Sequence, residues 1–246
     1  MKKPLILILA LIFMVFGLAG CGNSKNQSSN NLQPQPSNTE QSKATVPPAK
    51  ASAVSIASAA KKEGTKTLVV YFSMPETTKP NNMTKEENNS AVVVGGEVLG
   101  NTQYVAYLIQ KNTGADIFRI EPKTPYPTNH KALVDLAKAE QNDKARPELA
   151  AKVENLGQYD VIFLGYPNWW GDMPMILYSF LESHNLSGKT IIPFNTHGGS
   201  GFSDTINSIA ALQPNAKVIK NGFTVSRDTV QDCADAVAVW VKDLGY

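Results

Sequence analysis

The residues of this 246-residue chain that could do chemistry fall in three short runs. The first, Gly165-Tyr166-Pro167-Asn168-Trp169-Trp170-Gly171, sets two of the chain's three tryptophans side by side. Neighbouring side chains on an extended segment point to opposite sides, so both indoles cannot be simple core. Either at least one faces a cleft where a flat aromatic ligand could stack on it, or a core tryptophan sits beside a surface one. Gly171 permits a backbone conformation that other residues resist. The second run, Asn195-Thr196-His197-Gly198-Gly199-Ser200-Gly201, carries three glycines that bring backbone amides close to a ligand. His197 is the histidine placed to face that ligand, whereas His130 and His184, at the start and end of expected helices, read as surface residues. The third run is Gly100-Asn101-Thr102. Small amide and hydroxyl groups at a helix start suit a phosphate, because free N–H groups and the helix dipole point at the anion. No Lys or Arg lies in the triplet, so its donors are neutral. Taken alone, the triplet is more often an ordinary helix cap than a phosphate site.

Other chemistries fail on spacing. His197-Gly198-Gly199 suggests a hydrolase oxyanion loop, but the Gly-x-Ser-x-Gly elbow that would accompany it meets Phe202 where glycine is required. Gly188-Lys189-Thr190 ends like a phosphate-binding P-loop, yet Ser183 stands in place of the first glycine and the triplet precedes a strand. No His, Asp or Glu pair has metal-ligand spacing.

The three runs need a frame, and the pattern around them supplies one. Short apolar runs rich in β-branched and aromatic residues occur at 67–73, 116–121, 159–165, 189–195 and 216–220. They predict strands of a buried parallel sheet, the second nearer an edge. Pro193 must sit where the ladder can spare an amide. Helical spacing falls at 102–111, 129–144, 173–183, 203–212 and 228–244, the last with Asp228 as N-cap and Val230, Cys233, Val237 and Trp240 inward. Strand and helix alternate five times, which predicts an α/β fold: a five-stranded, doubly wound parallel sheet with helices on both faces. Ligands of such folds gather at the carboxyl ends of the strands, where all three runs lie. Residues 74–99 interrupt the first strand–helix connection as an insertion, with a hairpin about Gly95-Gly96.

The ends of the chain differ in character. Lys2 and Lys3 precede an apolar run from Leu5 to Phe16, the layout of an export signal too short to span a bilayer comfortably. Leu18-Ala19-Gly20-Cys21 follows and resembles the bacterial lipoprotein signal. That resemblance implies cleavage after residue 20, a diacylglycerol on Cys21, and a domain tied to the outer face of the cell membrane. Residues 21–65 then form a polar tether with too few large apolar side chains to fold; roughly 40 such residues span about 35 Å on average. Seven of the 23 Lys and Arg but only two of the 21 Asp and Glu lie in residues 1–63, so the remainder carries a net charge of −3. Nothing there points to nucleic acid. Cys233 is left as a small core residue with no disulfide partner.

With these pieces placed, residues 66–246 resemble a flavodoxin, through Tyr71-Phe72-Ser73, Gly165-Tyr166-Pro167-Asn168-Trp169-Trp170-Gly171 and Thr196-His197-Gly198-Gly199-Ser200-Gly201. The resemblance implies a flavodoxin-like sheet of order 2-1-3-4-5 and one noncovalent FMN. By motif, Ser73, Asn101 and Thr102 would hold the phosphate; Pro167, Asn168, Trp169, Trp170 and Gly171 would border the isoalloxazine; Thr196, His197, Gly198 and Gly199 would close the other side. The insertion breaks the usual contiguous phosphate loop, which brings Met74 forward as a substitute contact. The implied role is a one-electron carrier serving redox partner proteins or small acceptors. The alternatives are an FMN-dependent NAD(P)H:quinone-type reductase and a flavin-binding lipoprotein without turnover.

Overall fold

A computed structural model describes residues 64–246. The export signal, Cys21 and the tether up to residue 63 lie outside the described residues. The elements run in the order β1 (Thr67–Tyr71), α1 (Lys85–Ser90), β2 (Ala91–Val94), β3 (Glu97–Gly100), α2 (Asn101–Thr113), β4 (Asp116–Arg119), α3 (His130–Asp143), β5 (Val161–Pro167), α4 (Met175–Ser183), β6 (Thr190–His197), α5 (Thr205–Leu212), β7 (Lys217–Val218), β8 (Phe223–Ser226) and α6 (Ala234–Asp243). The main sheet is ordered β4-β1-β5-β6-β7 and parallel throughout, with β8 also paired to β6.

Alternation along the central strands assigns each side chain to one of two cores. Leu68, Val70 and Phe72 face one way with Ile162, Leu164 and Tyr166, under Leu133 of α3, Ile176 and Phe180 of α4 and Ile209 of α5. Val69, Tyr71 and Phe163 face the other, under Val105 and Ile109 of α2 and Val237 and Val241 of α6. Each fully buried large side chain contributes roughly 1.5–3 kcal/mol, so the two layers hold the sheet from both faces. β4 closes one edge and is only partly buried.

The expected fifth strand is split, which makes six. β7 pairs with Thr190 and Ile191, and β8 pairs with Phe194 through His197. Odd-numbered residues of β6 turn their backbone toward this outer position: Ile219 N donates to Ile191 O and Arg227 N to His197 O. Pro193, which has no amide proton, falls at the gap between them. The chain detours there through Gly222, where a Cβ would lie 2.3 Å from the Pro193 carbonyl oxygen.

One further expectation is corrected and one extended. The segment 228–244 is not one helix capped by Asp228. Thr229 N donates to Ser226 O, closing a turn; a short 3-10 helix follows at Val230–Asp232, and α6 begins only at Ala234. The 74–99 insertion holds the antiparallel β2–β3 hairpin about Gly95-Gly96, but also α1. Thr84 Oγ1 accepts from Glu87 N while Glu87 Oε2 accepts from Thr84 N, a reciprocal cap.

Candidate functional site

A cleft of about 240 Å³ opens at the carboxyl ends of β1, β5 and β6. Ser73, Met74, Asn101, Thr102, Pro167, Asn168, Trp169, Trp170, Thr196, His197 and Gly198 all line it, so eleven residues singled out from sequence converge on one cavity. Gly171 and Gly199 do not. They serve the loops instead: Gly171 N donates to Asn168 Oδ1 at 3.1 Å, and Gly199 N to His197 Nδ1 at 2.8 Å.

One end of the cleft is the N-terminus of α2. β1 and α2 meet so closely here that a Cβ on Gly100 would lie 2.2 Å from Ser73 Oγ and 3.0 Å from Pro75 Cδ. Ser73 Oγ accepts from Gln103 N, capping the helix from the neighbouring strand end. The amides of the first helical turn have no intrahelical acceptor, and that turn holds no acidic residue. Thr102 and Thr196 hydroxyls share a 2.8 Å hydrogen bond that ties α2 to β6. Asn101 Nδ2 donates to Asn89 O, while its Oδ1 is buried without a partner.

The other end is a two-residue hairpin. Trp169 and Asp172 exchange both backbone hydrogen bonds, at 2.8 and 3.1 Å. Trp170 and Gly171 between them have φ of +56° and +78°, the pattern of a type I′ turn. A tryptophan in that region is strained by roughly 1–3 kcal/mol, and contacts to α3 supply the compensation. Trp170 Nε1 donates to Val134 O, its carbonyl accepts from Gln141 Nε2, and Lys138 Nζ sits 5.1 Å from the ring centroid. Trp169 instead packs edge-on against Phe72 and Tyr126, with centroids 5.5 and 5.7 Å away. One indole is thus anchored to the core and the other to the surface of α3, and both line the cleft. Asn168 staples this turn to the loop after β6, its Nδ2 donating to Gly201 O at 3.0 Å and to Ser203 Oγ at 3.1 Å.

His197 accepts from Gly199 through Nδ1, which leaves Nε2 as the protonated nitrogen of the neutral ring. Burial holds its pKa below the ordinary histidine value, against a smaller opposing effect of Asp228. Of the other two histidines, His184 corrects the sequence reading, while His130 is exposed as expected but stands beside the cleft. His184 is buried, donating through Nδ1 to Phe180 O and accepting from Val153 N. His130 lines the cleft, with Nδ1 3.0 Å from Glu76 Oε2.

Sequence reasoning also missed Glu76, Asn89, Ser90 and Arg227, which line the same cavity. The first three come from the insertion, where the Thr84-x-x-Glu87 capping pattern was the available signal for ordered structure. Arg227 follows the split outer strand, and nothing in its local sequence distinguishes it. Among the described residues, no group of three or more His, Cys, Asp or Glu could hold a metal ion.

The sequence profile of the flavodoxin family matches residues 91–244. Among solved structures, a protein assigned as a flavoprotein from Bacteroides eggerthii is 29% identical, with 70% of this chain and 98% of that one covered and a TM-score of 0.51. A second so assigned, from Bacteroides uniformis, is 27% identical, with 73% and 99% covered and a TM-score of 0.51. A flavoprotein from Lactobacillus acidophilus, solved in complex with FMN, is 17% identical, with 70% and 99% covered and a TM-score of 0.49. No curated protein matches the chain. The profile spans well over half of the sequence, including both tryptophans of the cleft and the N-terminus of α2: the chain belongs to the flavodoxin family.

Proposed function

We propose that this domain binds one FMN and works as an electron carrier, held at the outer face of a bacterial membrane by the lipid on Cys21. The observation that carries the reading is one cleft that joins a helix N-terminus without acidic residues to a wall of two indoles. The donor set fits FMN. The first-turn amides of α2 ahead of Gln103, whose own N–H goes to Ser73 Oγ, suit its phosphate. The partnerless Asn101 Oδ1 needs a donor, which a ribityl hydroxyl provides. Trp169 and Trp170 suit a planar isoalloxazine.

FMN, when bound, supplies electron transfer in one- or two-electron steps. The chain positions and shields it. Trp169, backed by Phe72 and Tyr126, keeps water from one wall. Asn168 fixes two loops relative to each other, and a neutral His197 adds no positive charge beside them. Redox proteins or small acceptors are the partners this reading implies. The net charge of −3 on residues 64–246 gives them little electrostatic steering.

Titration of the purified chain with FMN tests the reading. The expected result is saturable quenching of flavin fluorescence at one equivalent, then reversible reduction in two one-electron stages without steady NADH or NADPH consumption. Sustained NAD(P)H oxidation with a quinone acceptor would move the protein to the reductase alternative. Failure to take up FMN would remove both.

A further inference from the structure

Between the inserted hairpin and the turn after β8 lies a second cavity, of about 550 Å³, a size typical of small-molecule sites. Its apolar side is Val92, Val93 and Val94 of β2, with Val230 also lining it. Val93 and Val94 are 41% and 43% exposed, so this β-branched run keeps apolar area that a ligand could remove from water. Among the described residues, Arg227 alone lines both this cavity and the tryptophan cleft. Its backbone is tied to β6. Arg227 N donates to His197 O at 2.8 Å, and the guanidinium lies against Gly198, where a Cβ would come within 3.1 Å of its central carbon. The guanidinium makes no hydrogen bond among the described residues, and its ion pair with Asp228, Nε to Oδ1 at 4.0 Å, leaves both terminal nitrogens without an acceptor. A pair of open terminal donors beside an apolar wall is the recognition chemistry of an organic anion.

We propose that this cavity binds a small organic anion with an apolar body, its negative group on Arg227 and its body against Val92, Val93 and Val94. Asp228 also lines the cavity. It leaves the Arg227 fork open, and its charge selects against a second anionic group on the ligand. The site gives the 74–99 insertion a role, because β2 forms its apolar wall. It also sets the ligand's charge at the border of the cofactor cleft without occupying that cleft. The site requires that whatever fills the cleft leave the Arg227 guanidinium free.

Calorimetric titration of the full chain with naphthalene-2-sulfonate and with neutral naphthalene-2-sulfonamide tests it, each without and with saturating FMN. The sulfonate binds saturably at one site, with or without FMN. Arg227→Gln weakens the sulfonate about tenfold and changes the sulfonamide by less than about twofold, whereas Val93→Glu weakens both. The proposal is overturned if neither probe saturates, if Arg227→Gln affects both alike or neither, or if FMN expels the sulfonate. A chain that takes up no FMN would sink the proposed function, while the FMN-free titration still decides this site.

Discussion

The two ends of the cleft achieve definition by opposite means. At the α2 end, Ser73, Asn101 and Thr102 are 3%, 6% and 1% exposed, and their geometry is fixed by contact with β1 and β6. At the hairpin end Trp170 is 53% exposed, carries a positive φ, and is held by three contacts to α3. The first end is part of the fold's core and cannot change without disturbing it. The second has a strained tip fastened to an adjacent helix, so Trp170 there can be altered at little cost to folding. A site with a rigid end for an anchoring group and an adjustable end for a reactive ring can vary its chemistry without rebuilding its frame.

The sharpest test compares adjacent residues. Trp169→Ala removes a ring packed on Phe72 and Tyr126 and is expected to cost about 3 kcal/mol in denaturant unfolding. Trp170→Ala is expected to cost less than about 1 kcal/mol, because an exposed ring loses only surface contacts and alanine, which keeps the Cβ, leaves the strain at φ +56° unchanged, while still weakening FMN binding. Equal stability losses would break the contrast between the core-anchored and the surface-anchored indole of the hairpin.

Gly100→Ala probes the rigid end. The new methyl would meet Ser73 Oγ at 2.2 Å, and Ser73 has nowhere exposed to go. Overpacking of this kind costs about 2 kcal/mol, and the displaced Ser73 would uncap α2. The expected outcome is a lower unfolding midpoint together with loss of FMN affinity. A variant of normal stability and affinity would show that β1 and α2 can separate there.

Asn168→Ala tests what couples the ends of the adjustable loops. It removes hydrogen bonds to Gly171, Gly201 and Ser203, for an expected loss of about 1–2 kcal/mol. Thermal unfolding measures the loss. Increased amide exchange confined to residues 169–172 and 198–203 would locate it.

How much of this was legible beforehand depended on whether the cause was local. The strand order was readable because Leu68, Val69 and Val70 can be buried together only in a sheet covered on both faces, and alternation with helices then forces parallel crossovers. The cleft loops were readable because paired tryptophans and clustered glycines have few structural uses. The split of the outer strand was not, since it follows from a contact between Gly222 and Pro193, which are 29 positions apart. His130 is the surface residue that its helix position implies, but its place at the cleft was not legible, because only the fold of the insertion brings Glu76 to it. His184 was misread for the same reason, since Val153 and Phe180 enclose it from two directions.

His184 and His197 extend the comparison to charge. His184 stacks on Phe180 with centroids 4.2 Å apart and uses both nitrogens in hydrogen bonds suited to the neutral ring. Burial lowers its pKa below the ordinary 6.5. The unfolded chain therefore takes up this proton first as pH falls, binding more protons than the native state between 6.5 and the depressed native value. Stability is full above pH 6.5 and declines through that window. His197 shifts in the same direction, again through burial, but Asp228 opposes it and its loop is open to solvent. Unfolding free energies at pH 7.5 and 5.5 should thus converge in His184→Gln and stay apart in His197→Gln. This is the smallest effect expected here. The opposite result would mean that protonation at the adjustable end is felt by the whole domain, and that this end is less separate from the core than its exposure indicates.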